Sequence, residues 1–305
     1  MVQPLRIGTR GSPLALAQAH MVAAALRAAH GWPEEAVVIV PITTTGDVIQ
    51  DRPLAEVGGK ALWTKELDRS LVEGRTDLSV HSMKDVETIR PELFRVAAML
   101  PRADVRDRLI GAPGVAALAR GARVGTSSPR RAAQLLARRP DLAIVPIRGN
   151  VATRLRKLQA GEADATLLAA AGLDRLGLAD TGVAIAVEEM LPAPSQGAIG
   201  VEVLAANDGV RALAERIDHR ATHLCVAAER CLLEALGGDC RSPVAAHACF
   251  EGDGVRLRAE ILTDDGREAQ CGEIRLAPGD RDAPAALAAE LLGRASPALR
   301  ALFGR

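Results

Sequence analysis

Residues Ile7–Pro13 (IGTRGSP) have the pattern of a strand that ends in a tight turn and runs into a helix. Ser12 is a suitable N-cap, and Pro13 suits the first position of the helix that follows. A similar pattern returns at Val124–Pro129 (VGTSSP), with another helical stretch behind it. Because both stretches carry the signals that start a helix, we predict a strand–turn–helix unit that occurs twice.

Other stretches repeat in the same order. Val145–Ile147 (VPI) resembles Val40–Ile42 (VPI), and Leu158–Asp164 (LQAGEAD) resembles Leu71–Asp77 (LVEGRTD). Strand patterns alternate with helical patterns in both halves, which is typical of a parallel α/β sheet. We therefore expect two α/β lobes of similar topology with a cleft between them. Chance similarity among Ala-rich helices is the competing explanation.

Two apolar stretches are suited to carry the chain between the lobes. Phe94–Pro101 has the pattern of an outgoing strand, and Leu191–Gly197 that of a returning segment. The first lobe would then comprise residues 1–99 and 198–217, and the second residues 100–197. The pattern of residues 218–305 predicts a small domain made of a helix, a Gly-rich loop, three strands and a final helix. The predicted fold class is α/β, with two similar periplasmic-binding-protein-like (type II) lobes around a cleft and a small C-terminal α+β domain.

Composition argues against several classes of function. The 305 residues include 38 basic and 38 acidic ones, so the net charge favours neither nucleic acid nor an anionic membrane as a partner. Two Trp, three Phe and no Tyr are too few for a base-stacking platform. The N-terminus enters a strand pattern at once, without room for a signal peptide, and no stretch has the length and apolarity of a membrane span. We expect a cytoplasmic protein.

The five cysteines, with no CxxC pair, fit a reducing compartment better than a disulfide framework. No His/Cys spacing resembles a zinc site, so no metal is expected. Four cysteines fall within helix or strand patterns and are predicted to be buried structural thiols: Cys225, Cys231, Cys249 and Cys271. Cys240 lies instead in a loop, residues 236–243 (LGGDCRSP), where its thiol would be accessible. A lone loop cysteine ordinarily has no special role.

The stretch Asp77–Asp85 (DLSVHSMKD) begins as a strand and ends in a cluster of polar side chains. Ligands bind at the carboxyl ends of strands in an α/β sheet. A lysine beside a carboxylate there suggests acid/base work on a charged substrate, whereas the simpler explanation is a strand end with solvated charges. The repeat favours function, because the second lobe has apolar or small residues (Leu168, Ala169, Ala171 and Gly172) where the first has His81, Ser82, Lys84 and Asp85.

Arginines are concentrated in the second lobe. Residues 120–157 include ten basic residues and one acidic residue, Asp141. Arg130 and Arg131 fall in the first turn of a helix, where the backbone amides already favour anions. Arg148 follows a strand, and Arg154 lies one helical turn beyond it. The guanidinium group suits bidentate binding of carboxylate or phosphate, but no Walker or GxGxxG motif supports a nucleotide.

These motifs, taken together and in their order, closely resemble the hydroxymethylbilane synthase family, also called the porphobilinogen deaminases. The resemblance rests on VHSMKD at 80–85, GTSS at 125–128 with Arg130 and Arg131, RGN at 148–150 with Arg154, and the loop that holds Cys240. It implies a transferase that joins four porphobilinogen molecules head to tail, with loss of ammonia, on a covalently bound dipyrromethane cofactor. Hydrolysis then releases linear hydroxymethylbilane for tetrapyrrole and haem biosynthesis.

The resemblance also implies roles for single residues. Asp85 would be the catalytic acid, protonating the departing amine and stabilising cationic pyrrole states, and Cys240 would carry the dipyrromethane through a thioether. The implied cofactor-binding residues are Ser82, Lys84, Asp104, Thr126, Ser128, Arg130, Arg131 and Gly172. The implied substrate- and chain-binding residues are Arg10, Ser12, Lys60, Arg148, Gly149, Arg154, Arg175 and Gln196. Asp239 and Trp63 depart from the family, which commonly has Gly and Phe there.

The implied partners are porphobilinogen and, for the product, uroporphyrinogen III synthase, with the protein acting as a monomer without nucleic acid or membrane. Two other classes compete. A two-lobed small-anion-binding receptor would need neither Asp85 nor Cys240 and would release no ammonia from porphobilinogen. A nucleic-acid-binding regulator could use the arginines but lacks a recognisable reading motif.

Overall fold

The computed structural model describes residues 4–44 and 64–303. The strands in these ranges are β1 (Leu5–Arg10), β2 (Val37–Ile42), β3 (Leu78–Ser82), β4 (Phe94–Met99), β5 (Asp107–Ile110), β6 (Arg123–Gly125), β7 (Ala143–Val145), β8 (Ala165–Ala169), β9 (Val183–Ala184), β10 (Ile199–Leu204), β11 (Val244–Glu251), β12 (Gly254–Leu262) and β13 (Ala269–Leu276).

The helices are α1 (Pro13–His30), α2 (Lys65–Val72), α3 (Pro129–Arg138), α4 (Val151–Gln159), α5 (Ala170–Arg175), α6 (Asp208–Glu215), α7 (Arg220–Ala235), α8 (Asp282–Arg294) and α9 (Pro297–Arg300). The predicted helix starts are confirmed at both repeats. Ser12 accepts a hydrogen bond from Ala15 N ahead of α1, and Ser128 accepts one from Arg131 N ahead of α3. None of the helices within the described ranges is long and apolar enough to cross a membrane.

Two five-stranded sheets share one topology. The first has the order β2-β1-β3-β10-β4 and the second β7-β6-β8-β5-β9. In the first, β1 runs parallel to β2 and β3, while β10 runs antiparallel to β3 and β4. In the second, β6 runs parallel to β7 and β8, while β5 runs antiparallel to β8 and β9. The first sheet therefore receives β10 late in the chain, as the predicted outgoing and returning segments require. The matching place in the second sheet is taken by β5, which was not predicted.

The register repeats as well. Gly8 lies opposite Val40 and Ser79, and Gly125 lies opposite Val145 and Thr166. The same ion pair ties the same strands in both sheets. A guanidinium nitrogen of Arg6 lies 2.7 Å from Asp77, and that of Arg123 lies 2.8 Å from Asp164. The predicted internal repeat is thus confirmed at the level of individual residues.

The C-terminal residues form an antiparallel three-stranded sheet, β11-β12-β13, with α7 and α8 packed on it. Fully buried leucines of both helices and of the central strand make up its core, namely Leu232, Leu257 and Leu291. At Gly272 of β13 a Cβ atom would lie 2.6 Å from Leu287, so α8 packs closely against this strand. The predicted fold class, two similar type II α/β lobes and a small C-terminal α+β domain, is confirmed.

Contacts divide the chain into two compact units. The first takes in the described part of Met1–Ala103 together with Ala198–His223, and the second takes in Asp104–Gly197 with the described part of Leu224–Arg305. The C-terminal sheet therefore belongs to the same unit as the second lobe. The predicted division into three domains at 1–99 with 198–217, 100–197 and 218–305 stays a prediction.

Candidate active site

A pocket of the first unit lies at the carboxyl ends of β1 and β3, where ligands bind in α/β sheets. Four of the predicted site residues line it together: Arg10, Ser12, Ser82 and Asp85. The rest of its wall comes from Gln18, Thr64 and His81 and from the apolar residues Leu14, Ala15, Val80 and Val86. Ser82 Oγ lies 2.8 Å from Gln18 Nε2, which joins the end of β3 to α1. The structure thus brings a carboxylate, a guanidinium and three hydroxyls to one place.

A short 3-10 turn, Met83–Asp85, sets the position of the catalytic candidate. Met83 is fully buried, and its sulfur packs where a Cβ atom at Gly200 of β10 would collide with it. Met83 N also donates to Ala198 O at 3.1 Å, so the turn is held by backbone as well as by side chain. Lys84 and Asp85 are both half-buried. Asp85 lines the pocket, whereas Lys84 is not among the described residues that line it.

A buried ionic cluster, which no sequence pattern indicated, lies behind the pocket. Arg90 binds Glu202 of β10 at 2.8 Å, Glu87 at 2.8 Å and Asp68 of α2 at 2.6 Å. Glu202 is fully buried, and its Oε2 lies 3.2 Å from His81 Nε2. One guanidinium therefore serves three carboxylates, and the imidazole of His81 connects them to the pocket wall.

The charge state of Glu202 follows from these neighbours. Burial alone would raise the pKa of its carboxyl group, but the adjacent His81 and Arg90 side chains outweigh burial and lower the pKa to about 2. Glu202 is consequently ionised at neutral pH although it is out of contact with water. Glu202 lies more than one hundred residues from His81 and from Arg90 in the chain, so no local sequence pattern could have indicated the cluster.

In the second unit the two arginines of α3 are buried and paired with an acid. Arg130 Nη2 lies 2.8 Å from Asp107 Oδ2, and Arg131 Nη2 lies 2.7 Å from Asp107 Oδ1. Arg130 is 3% exposed and Arg131 5%. Burial would raise the pKa of Asp107, but the two guanidinium groups hold it well below its usual range. Within the predicted cluster of arginines, the carboxylate of Asp107 on β5 therefore compensates part of the positive charge of Arg130 and Arg131.

Some of the other N–H donors of Arg130 and Arg131 are bound within the protein, and others have no partner among the described residues. Arg130 also donates to Gln134 Oε1 and to Leu191 O, and Arg131 donates to Leu167 O. The Nε atoms of both are buried without a hydrogen-bond partner among the described residues. Gln196, predicted to bind substrate, is almost fully buried and donates to Asp107 at 2.9 Å.

The other predicted arginines lie around the same sheet. Arg154 Nε donates to Gly149 O at 2.9 Å, which ties α4 to the loop holding Arg148. Gly149 has a φ of 109°, and a Cβ atom there would also collide with Thr153, so this loop requires glycine. Arg175 of α5 donates to Gly197 O at 2.7 Å, and burial lowers its pKa to about 10. Its Nε atom is a third buried donor with no partner in the described part of the chain.

The loop that carries Cys240 is held by hydrogen bonds and an ion pair among its own residues. Cys240 is exposed, as predicted, and precedes Arg241, whose guanidinium lies 3.0 Å from Asp239. Asp239 N donates to Ser242 Oγ at 3.1 Å, and Arg241 N donates to Asp239 Oδ1 at 2.8 Å. The carboxylate of Asp239, which departs from the family pattern, is therefore neutralised within its own loop.

The prediction for the other cysteines is partly wrong. Cys225 and Cys231 are buried, but Cys249 is only partly buried and Cys271 is exposed. Side chains alternate between the two faces of a strand, and in β13 the neighbouring Gly272 faces α8. Cys271 consequently points to the opposite face of this edge strand, where it lines a pocket with Arg138 and Glu260.

The structure also locates the remaining candidates. Thr126 is buried and accepts a hydrogen bond from Ser128 N at 3.1 Å. Asp104 is paired with Arg106 at 2.7 Å, and the hydrogen bond from Arg106 lowers the pKa of its carboxyl group against the effect of burial. Gly172 is buried in α5. Lys60 and Trp63 lie outside the described residues. The roles predicted for all these residues stay predictions.

Known proteins resemble this chain over almost its full length. Residues 5–212 match the family model described as porphobilinogen deaminase, dipyromethane cofactor binding domain, and residues 223–293 match that of the porphobilinogen deaminase C-terminal domain. A porphobilinogen deaminase from Sphingopyxis alaskensis is 60% identical, covering 98% of this chain and 96% of its own. One from Paracoccus denitrificans is 50% identical, covering 96% and 95%.

A solved structure with a related arrangement is the periplasmic VFT2 domain of Bordetella pertussis BvgS (F375E/Q461E double mutant). It is 14% identical, with a TM-score of 0.40 over 71% of this chain and 87% of its own. The two family models together cover both lobes and most of the C-terminal domain, and the first is the model of a cofactor-binding domain. With two relatives at 50% identity or more, this chain belongs to the porphobilinogen deaminase family.

Proposed function

We propose that this chain is a hydroxymethylbilane synthase, a transferase that condenses four porphobilinogen molecules, with loss of ammonia, on a dipyrromethane held by Cys240. The observation that carries the proposal is the pocket of the first unit, which gathers Asp85, Arg10, Ser12 and Ser82 at the carboxyl ends of two neighbouring strands. These groups are the ones that a substrate with carboxylate arms and a leaving amine requires.

The residues fit a dipyrromethane. Cys240 offers an exposed thiol for a thioether bond. The cofactor's acid side chains need cationic donors, and the buried guanidinium groups of Arg130 and Arg131 each have an Nε–H without a partner within the described residues. Arg175 has a third such Nε–H and is proposed to bind the substrate or growing chain. Asp107 is shared between Arg130 and Arg131, so each of these guanidinium groups is only partly compensated by its direct ion pair. When bound, the dipyrromethane supplies the pyrrole carbon at which the chain is extended.

Asp85 would move the proton. As an acid it can protonate the aminomethyl nitrogen of porphobilinogen, so that ammonia rather than amide ion leaves. As a carboxylate it then faces the pyrrole nitrogen on which positive charge develops, and it stabilises that charge electrostatically. Arg10 in the same pocket would pair with the acetate or propionate arm and orient the ring. The apolar wall of Leu14, Val80 and Val86 limits access of water.

Ammonia release tests the proposal. Incubation of the purified protein with porphobilinogen should yield one ammonia per porphobilinogen consumed and linear hydroxymethylbilane as product. A two-lobed small-anion receptor would bind porphobilinogen without releasing ammonia, and that outcome would refute the proposal.

The wider setting follows from the reaction. Hydroxymethylbilane would pass to uroporphyrinogen III synthase, and we expect the protein to work as a monomer in the cytoplasm. Lys84, Ser82, Thr126, Ser128, Asp104 and Gly172 are proposed to contact the cofactor, and Ser12, Lys60, Arg148, Gly149, Arg154 and Gln196 the substrate or growing chain. For Gln196 the structure supports an indirect contribution, since its amide binds Asp107.

A further inference from the structure

The segment that returns from the second sheet contains a strained turn. Gln196 N donates to Ala193 O at 3.0 Å, with Pro194 and Ser195 as the two central residues. Ser195 has a φ of 66° and is the one non-glycine residue with a positive φ in the described ranges. This is the geometry of a type II turn, in which proline suits the first central position and glycine the second. Serine at the second central position is held there against its own preference.

The turn places two groups in the arginine cluster of the second unit. Gln196 Nε2 donates to Asp107 Oδ1 at 2.9 Å and to Val105 O at 2.7 Å. The next carbonyl, Gly197 O, accepts from Arg175 Nη2 at 2.7 Å. The backbone conformation of Ser195 therefore sets where Gln196 meets Asp107 and where Gly197 O meets Arg175.

One buried carboxylate of the C-terminal sheet domain holds this turn. Glu229 of α7 is fully buried, and its Oε2 accepts from Ser195 N at 2.6 Å. Its Oε1 accepts from Ala248 N of β11 at 2.7 Å. Hydrogen bonds from backbone N–H to a carboxylate are about twice as strong as neutral ones. Pro192 O, at the start of the same segment, accepts from Ala246 N of β11 at 3.0 Å.

We propose that Glu229 is a positioning residue of the arginine cluster, acting through Ser195. Its carboxylate fixes the left-handed conformation of Ser195, and the turn in that conformation sets Gln196 and Gly197 against Asp107 and Arg175. The inference rests on the proposed function in one respect, because it takes the arginine cluster to bind the carboxylates of cofactor and growing chain. Glu229 does not touch the reacting atoms, so its loss should weaken binding and leave the proton transfer by Asp85 intact.

Glu229→Gln removes the charge and replaces one of the two acceptor oxygens by an NH2 group, which is itself a donor, so one of the two backbone N–H groups loses its acceptor. We expect it to raise KM for porphobilinogen about tenfold with little change in kcat, the size expected when the left-handed strain of one residue is no longer compensated. Ser195→Gly should restore KM to near the wild-type value in the Glu229→Gln background, because glycine adopts a positive φ without strain. Hydrogen exchange of residues 192–197 should quicken in Glu229→Gln and return to the wild-type rate in the double variant.

Matched variants separate this role from a general loss of stability. Glu234→Gln, an exposed glutamate on the same helix, should leave KM and exchange unchanged. Ser195→Val keeps Glu229 but disfavours a positive φ, so it should reproduce the rise in KM. If Glu229→Gln fails to fold, Ser195→Val decides the question. An unchanged KM in Ser195→Val, or a double variant no better than Glu229→Gln, overturns the inference. Absence of ammonia release by the wild type would refute the proposed function instead, and the exchange rates would still test the turn.

Discussion

Asp85 and Lys84 are neighbours in one 3-10 turn, yet their surroundings differ. Asp85 lines the pocket with Arg10, Ser12 and Ser82, and Lys84 does not belong to its wall in the described part of the chain. We propose different roles for the two residues, with Asp85 transferring the proton and Lys84 binding a carboxylate of the cofactor. Sequence alone could place both residues at a strand end but could not tell which one faces the pocket.

Asp85→Asn tests the first role. The amide keeps the shape of the side chain but cannot donate a proton as an acid, so turnover should fall by at least about 100-fold. Circular dichroism and the cofactor mass on Cys240 should stay at wild-type values. Asp253→Asn, an exposed carboxylate in the turn before β12, should keep full activity. Near-normal product formation by Asp85→Asn would remove Asp85 from the mechanism.

Arg131 has a structural role besides any ligand. Its guanidinium and Asp107 are both almost fully buried, so Arg131→Leu should lower the free energy of unfolding by about 3 kcal/mol by leaving a buried carboxylate short of a partner. Urea unfolding of cofactor-free protein would measure this. Arg123→Leu, which breaks the exposed pair with Asp164 in the same lobe, should have a much smaller effect. Equal losses for the two variants would show that burial of the Asp107 pair does not matter.

At the scale of elements, most of the fold was predictable. Local sequence patterns mark the helix starts at Ser12 and Ser128 and the buried strands before them. Each prediction was strengthened because the same pattern occurs in both lobes. The short strands β5 and β9 were missed, because four and two residues carry too little pattern to be recognised. Because β5 was missed, Asp107 was missed as well. Asp107 is the carboxylate that allows Arg130 and Arg131 to be buried. Contacts between residues distant in the chain, such as Glu202 with Arg90, leave no trace in local patterns.

The link between β3 and β10 through Glu202 should appear in the pH dependence of stability. Its folded pKa of about 2 lies below the ordinary glutamate value, so its contribution is complete above about pH 5 and is lost as the pH falls towards 2. A shift of this size corresponds to about 3 kcal/mol. Glu202→Gln should therefore be less stable than wild type at pH 7, and the difference should narrow as the pH falls.

Denaturant unfolding between about pH 7 and pH 2 measures the difference in free energy. Glu290→Gln, an exposed glutamate of α8 paired at 3.5 Å with Arg294, should follow the wild-type curve at every pH. A difference between Glu202→Gln and wild type that stays constant down to pH 2 would show that ionisation of Glu202 contributes nothing.

At the scale of the whole molecule, the proposal combines features of both units. The first contributes the pocket with Asp85, and the second contributes the arginine cluster and the Cys240 loop. The family match spans these features, since its two models cover residues 5–212 and 223–293. The proposed role of Cys240 can be tested on the intact chain, because covalent attachment of a cofactor raises the mass of the protein.

The intact mass of the protein, purified from cells that make porphobilinogen, shows directly whether Cys240 carries the cofactor. The wild type should exceed the mass of its sequence by one dipyrromethane, and Cys240→Ser should have the bare sequence mass. Cys271→Ser, which removes the other exposed thiol among the described residues, should keep the added mass. A wild type that turns over porphobilinogen at the bare sequence mass, or added mass that survives Cys240→Ser, would contradict the attachment of the cofactor to Cys240.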